Sequence, residues 1–240
     1  MQIQTIAPLK NVSLFNELMD RVMNRPIHLP GMATFHGYSG FGKTFSAVYG
    51  ANKYKAYYVE VGHSWTQKKF CEAVLNELGG QTKGTIATLV DRIVEILAEE
   101  DRPLIIDEFD YVVKRKFVEL VREIHDKSNA PIILIGEELL PSKLSEWERF
   151  HNRVLDWVPA LPADIDDVRN LARLYCPMLD INEDVLKQLH KMSQGRVRRI
   201  CVNLEKIREY AVTNGGDNVN VSDLNGVQMF TGTPPQRRAV

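Results

Sequence analysis

The eight residues Gly37-Tyr38-Ser39-Gly40-Phe41-Gly42-Lys43-Thr44 constrain this chain more than any other stretch. They fit G-x-x-x-x-G-K-[ST] at every specified position, a pattern that carries a mechanism when it joins a strand to a helix. Its flanks read that way: Met32 to His36 as a short strand, Lys43 to about Gly50 as a helix. Glycines let the backbone turn tightly enough for its N–H groups to face an anion, and the helix start turns its positive end to the same place. In such a loop Lys43 is expected to reach the β- and γ-phosphates of a nucleotide, with the Thr44 hydroxyl on Mg²⁺. The bland alternative is a glycine-rich turn with an exposed lysine, and it leaves the strand–loop–helix setting without a purpose. ATP and Mg²⁺ are therefore the expected cofactors, and the whole loop from Gly37 to Thr44 the expected nucleotide contact.

The surrounding pattern suits this loop. Asn11 to Met23 has helical apolar spacing. Ala56 to Val61 reads as a second strand, followed by a helix to Leu78 that a Ser64/Gln67 capping box would open and Gly79-Gly80 would stop. Thr85 to Glu99 and Arg115 to Lys127 read as amphipathic helices. Pro103 to Asp107 and Pro131 to Gly136 are apolar strands, and Val154 to Val158 a last short one. Continuously apolar strands alternating with helices predict a parallel sheet covered on both faces, an α/β core. Beyond Pro159 and Pro162 the pattern turns helical, over Asp164–Tyr175, Asn182–Met192 and Val197–Val212, with no further strand expected. The expected organisation is a nucleotide-binding core over residues 1–161, a small helical lid over 162–230, and a disordered tail over 231–240.

Leu104-Ile105-Ile106-Asp107-Glu108 ends an apolar strand in two carboxylates. Two acids at a strand end are ordinarily solvated loop residues. Downstream of a phosphate loop, Asp107 would face the crevice where ligands sit in open parallel sheets and would hold Mg²⁺, directly or through water. Glu108 would orient and polarise an attacking water, which favours hydrolysis over mere binding. Arg149 and Arg153 follow the fourth core strand, and either could stabilise γ-phosphate charge from a neighbouring subunit. If the stretch is helical the two would share a face; otherwise both are surface ion-pair residues. Arg198, three residues after Gly195 at a helix start, could fold back over the nucleotide; an exposed basic helix end is the alternative.

Composition adds exclusions. At 240 residues the chain has room for one α/β core and a small appended domain, and its formal net charge of −1 removes bulk positive charge as a means of holding nucleic acid. Such contact would need local patches or assembly. Cys71, Cys176 and Cys201 are too widely spaced for a metal motif and odd in number, so buried reduced thiols are expected. Neither a signal peptide nor a membrane span is read, and a cytoplasmic protein is expected.

Taken in order, the phosphate loop, Ile105-Ile106-Asp107-Glu108-Phe109-Asp110, Leu134-Ile135-Gly136, the Arg149 to Arg153 spacing and Gly195-x-x-Arg198 resemble the AAA+ core of transposition regulators, the phage Mu B protein family, over roughly residues 5 to 227. The resemblance implies a P-loop AAA+ core with a C-terminal helical bundle. It also implies ATP-dependent assembly into a helical oligomer on double-stranded DNA with little sequence preference, and recruitment of a transposase released after hydrolysis. It implies DNA-backbone contacts at Thr66, Lys68 and Lys69 and at Lys114, Arg115 and Lys116, residues that read by themselves as solvated faces. Two departures stand out. No counterpart of the family's N-terminal helix-turn-helix region is expected before the core, and Glu137 occupies the place of an uncharged polar sensor, where a carboxylate would repel the γ-phosphate unless paired. A helicase-loader-type ATPase and a non-DNA assembly regulator are the competing functional readings.

Overall fold

The computed structural model describes residues 7–232. Their packing divides the chain into two compact units. One contains Val12–Tyr38 and Lys43–Ala160; the other contains residues 7–11, Ser39–Gly42 and 161–232.

The larger unit is built on a five-stranded sheet. After α1 (Lys10–Met23), most of which lies in this unit, come β1 (Met32–His36), α2 (Lys43–Tyr54), β2 (Tyr57–Glu60), α3 (Gln67–Leu78), α4 (Ile86–Glu100), β3 (Leu104–Asp107), α5 (Asp110–Lys114), α6 (Val118–Ser128), β4 (Ile132–Gly136), α7 (Leu140–Leu144), α8 (Glu148–His151) and β5 (Val154–Pro159). The strand order is β2-β3-β4-β1-β5 and every pairing is parallel. β3 and β4 are buried at every residue, as strands of a sheet covered on both faces must be. This is the expected α/β class. The order puts β4 between β1 and β3. The Gly136 carbonyl at its end accepts from the Gly37 N–H at 3.3 Å, and the Ile135 carbonyl from the Phe109 N–H at 2.8 Å. The segment before α2 and the acidic end of β3 are thereby hung from one strand end.

Several boundaries differ from expectation, each for a packing reason. α2 runs on to Tyr54 instead of stopping near Gly50. Gly50 is buried beneath Phe15, and a Cβ there would lie 2.5 Å from the ring. The glycine is a close-packing residue and not a stop. The helix over 67–78 is capped by Thr66, whose side chain accepts from the Lys69 N–H at 3.3 Å, and not by Ser64. Trp65 closes a turn onto the Gly62 carbonyl, which moves the helix start two residues on. The helix expected over 115–127 starts only at Val118 (α6); the separate short α5 ends before it at Lys114, and Lys116 between them is in a left-handed turn (φ 58°). That turn brings Phe117, which is 2% exposed, into the core against Phe70, ring centroids 5.6 Å apart.

His125 of α6 is buried, and Nδ1 lies 3.0 Å from the Ala130 carbonyl. Burial first, then the nearby Arg25 guanidinium, pushes its pKa below the ordinary histidine value; the Ala130 carbonyl and Asp126 oppose. A histidine kept neutral in the fold leaves the unfolded chain binding more protons between the lowered pKa and about 6.5, so stability falls as pH drops through that window. Thermal unfolding at pH 7.5 and 5.5 is expected to show a larger acid-side loss for the parent than for His125→Gln. Equal losses would discount the residue as a pH-sensitive element.

The smaller unit packs α9 (Ile165–Tyr175), α10 (Glu183–Ser193) and α11 (Val197–Asn214) around Val168, Leu171, Val185, Leu189, Ile200 and Leu204. Asp164 caps α9 in a capping box with Asp167. Contrary to expectation it has strands: β6 (Asp180–Ile181) and β7 (Asn218–Val219) form a parallel pair two residues long. Such short pairings carry no periodicity for a sequence pattern to show. Cys71 and Cys176 are buried free thiols and Cys201 is partly buried. Among the described residues no helix is long and apolar enough to cross a membrane. All but two residues of the expected tail lie outside the described ones.

Candidate nucleotide site

The phosphate loop leaves β1 and enters α2 at Lys43. Gly40 and Gly42 both have φ near 87°, a backbone that L side chains rarely adopt, so glycine at these two positions is required by the turn itself. In the larger unit the Lys43 ammonium donates to the carbonyls of Gly37 at 2.6 Å and Tyr38 at 3.1 Å. Burial lowers its pKa, while Asp107, Glu108, Asp110 and Glu138 pull the other way. His36 at the end of β1 is also lowered, by burial and then by Lys43. Thr44 is exposed in the first turn of α2.

The middle of the loop is held within the smaller unit. Asn11, only 4% exposed, donates to the Phe41 carbonyl at 2.8 Å and to the Leu161 carbonyl at 2.7 Å, and accepts from the Leu161 N–H at 2.9 Å. The Arg196 guanidinium donates to the Ser39 carbonyl at 2.7 Å, and the Arg198 N–H to the Gly40 carbonyl at 3.3 Å. Arg198 is thus tied to the loop through its backbone, near the start of α11, while its residue surface is exposed. Asn11 and Arg196 were absent from the sequence-based site. Their contacts join positions at least 30 apart, which no local pattern encodes.

At the end of β3, Asp107 is 2% exposed and both of its oxygens are engaged. Oδ2 accepts from the Tyr58 hydroxyl at 2.8 Å and Oδ1 from the Glu108 N–H at 2.7 Å. Glu108 sits at φ 56°, in the left-handed region, an uncommon conformation for a non-glycine residue and one that recurs at functional sites. Burial raises its pKa, reinforced by Asp107 and Asp110 and opposed by Lys43.

Glu137 follows Gly136 at the end of β4 and is paired. Its carboxylate lies 3.3 Å from the Lys143 ammonium of α7, and its N–H donates to Asp110 at 2.7 Å. Lys143 also meets Asp110 at 2.6 Å. Gly136 has to lack a Cβ, because one there would collide with Asp110 Oδ2. The unpaired carboxylate feared from the sequence is thus matched by a cation from the next helix.

The two candidate finger arginines separate. α8 ends at His151, so Arg149 is on a helix of four residues and Arg153 is not. The expectation of a shared helical face fails because the chain turns at Asn152 to enter β5. Arg153 is held by Asp126 at 2.7 Å, whereas Arg149 is exposed and has no ion pair among the described residues.

Thr66, Lys68 and Lys69 open α3, and all three are exposed. Lys114, Arg115 and Lys116, also exposed, end α5 and form the turn after it. The second cluster reaches the segment just ahead of the first. The Arg115 guanidinium donates twice to the His63 carbonyl, at 2.9 and 3.2 Å, and the His63 ring packs edge-on against Tyr111 at 5.4 Å. Lys69 leans on Trp65, 5.9 Å from the ring centroid.

Among the described residues no group of three or more His, Cys, Asp or Glu could cage a metal alone. Mg²⁺ keeps several waters and is held by one or two protein oxygens plus substrate phosphates. A Thr44 hydroxyl and the Asp107 carboxylate are such a donor set.

Residues 27–144 match the family described as the AAA domain. A comparison with the curated proteins finds no match. Among solved structures the chain is similar to the Orc1 protein of Aeropyrum pernix in complex with DNA, at 17% identity and TM-score 0.64, covering 90% of this chain and 63% of that one. It is similar to Cdc6p from Pyrobaculum aerophilum at 17% identity and TM-score 0.66, covering 93% and 67%. Domain III of the replication initiation protein DnaA from Thermotoga maritima matches at 18% identity and TM-score 0.59, covering 92% of both chains. The chain thus spans less than two thirds of the Orc1 chain. At these identities the likeness establishes the fold. Residues 27–144 therefore resemble the AAA domain in sequence, and the chain has a P-loop AAA+ fold.

Proposed function

We propose that this protein is an ATPase that binds double-stranded DNA through its backbone, assembles on it in the ATP state, and recruits or activates a transposase there. Lys43 and the loop from Gly37 to Thr44 bind the nucleotide phosphates. Thr44 and Asp107 hold Mg²⁺, Glu108 activates water, and Arg149 completes a neighbour's site; Arg153, engaged by Asp126, is the weaker choice. The helices after Leu161 act as the nucleotide lid, with Arg198 as its arginine. The ion supplies charge neutralisation on the phosphates; water activation is the work of the chain's own glutamate.

The DNA part rests on one observation: Arg115 of one basic cluster donates to the His63 carbonyl, just ahead of Thr66 of the other. Their five cations and the start of a 12-residue helix make a local positive surface on a chain of net charge −1. Transposase recruitment rests on the sequence resemblance alone. The likeness to DnaA, a replication initiation protein, supports a second reading, a helicase-loader-type ATPase.

The test is fluorescence anisotropy of a labelled duplex with ATP, ADP or no nucleotide, against a single-stranded control. Cooperative, salt-sensitive duplex binding with ATP alone is expected. Reversing Lys69 or Arg115 to glutamate should weaken it and lower the magnitude of the salt slope by about 1 or more for each phosphate no longer neutralised. A preference for single strands would move the reading to a loader. Flat titrations throughout would remove DNA as the partner.

A further inference from the structure

We propose that Tyr58 is a positioning residue for Asp107, its hydroxyl holding the carboxylate in the orientation that magnesium nucleotide needs. This rests on the reading of Asp107 as the residue that holds Mg²⁺. Tyr58 belongs to neither the phosphate loop nor the acidic strand end. It stands on β2, next to β3 in the sheet, where Tyr58 pairs with Ile105 and Glu60 with Asp107. Residues two apart on a strand share a face, so Tyr58 and Asp107 are diagonal neighbours across the pair. That diagonal spans more than a short side chain can cover, and the length of tyrosine brings its hydroxyl to 2.8 Å from Oδ2.

The contact controls orientation because Asp107 is almost wholly buried. One oxygen accepts from its neighbour's backbone N–H and the other from Tyr58. The backbone bond alone leaves the carboxylate free to turn about its side-chain torsion. The tyrosine bond removes that freedom and leaves the outward lone pairs for the ion or its waters. Groups that hold a metal-binding carboxylate in this way typically govern metal affinity by about 10- to 100-fold.

The experiment is Tyr58→Phe, which keeps the ring and deletes only the hydroxyl. Binding of a ribose-labelled fluorescent ATP is measured against Mg²⁺ concentration for parent, Tyr58→Phe and Asp107→Asn, with ATP turnover and thermal unfolding alongside. The expected result for Tyr58→Phe is a Mg²⁺ half-saturation raised about 10-fold. Its affinity for the labelled ATP without Mg²⁺ should be unchanged, and turnover should recover toward the parent rate at high Mg²⁺. An unaltered half-saturation in Tyr58→Phe, with Asp107→Asn impaired, overturns the role of Tyr58 and leaves the ATPase reading standing. So does a loss equal with and without Mg²⁺, which is what general disruption would give. A parent whose labelled-ATP affinity ignores Mg²⁺, with Asp107→Asn equal to it, overturns both.

Discussion

Glu108→Gln is expected to lower ATP turnover by roughly 10²- to 10⁴-fold, the contribution of a positioned general base, while ATP binding persists. Glutamine reproduces the shape of the side chain but cannot accept the proton of an attacking water. The variant should keep the fold. Glu108 is crowded by Asp107 and Asp110, and burial raises its pKa. A carboxylate with a raised folded pKa weakens the fold at neutral pH, where both folded and unfolded chains are ionised, so neutralising it removes a cost. Its melting temperature should equal or exceed the parent's. With hydrolysis blocked, the ATP-bound form should accumulate, visible as DNA binding that no longer decays as ATP is consumed. Phosphate release at the parent rate in Glu108→Gln would show that another group activates the water.

Lys43→Ala should abolish measurable ATP binding with little loss of stability. A charge-assisted contact to phosphate contributes about 1.5–3 kcal/mol, and on the proposed reading Lys43 would face two phosphates with the helix start beside it. In the fold the ammonium is partly buried, donating to two loop carbonyls, with its pKa below the ordinary lysine value. A lysine whose folded pKa is lowered disfavours the fold at every pH where it is charged. That cost fades as pH rises from the lowered value toward the unfolded one of about 10.4. Alanine removes the cost and the two hydrogen bonds together, so the net change in stability should stay within about 1 kcal/mol. Calorimetric titration with ATP, paired with thermal unfolding, separates the outcomes. Parent-like ATP affinity would remove Lys43 from the site. Abolished affinity with a collapsed melting temperature would make the residue structural.

These two side chains are legible in the amino-acid sequence because their chemistry is contiguous. Eight consecutive residues specify the phosphate loop, and three apolar residues followed by two acids specify the strand end. The alternation of apolar strands with helices likewise fixed the class of sheet. What local pattern suggested less well were its own boundaries. Gly50 reads as a helix stop, and only the ring of Phe15 against it shows why the helix continues. Ser64 and Thr66 are both good caps, and the turn closed by Trp65 chooses the second. Arg115 to Lys127 has helical spacing, and the turn that buries Phe117 delays the helix to Val118.

The amino-acid sequence by itself determined the parallel α/β core, the phosphate loop and the acidic strand end, because each is written in residues adjacent along the chain or spaced by a helical or strand period. The tertiary structure alone decided which partners those residues have. It set Tyr58 on Asp107, Asn11 on Phe41, Lys143 beside Glu137, Asp126 on Arg153 rather than Arg149, and Arg115 on His63. The physical reason is separation: those contacts join residues that strand order and turns bring together, and a hydrogen bond or ion pair across such a distance leaves no periodic trace in the sequence.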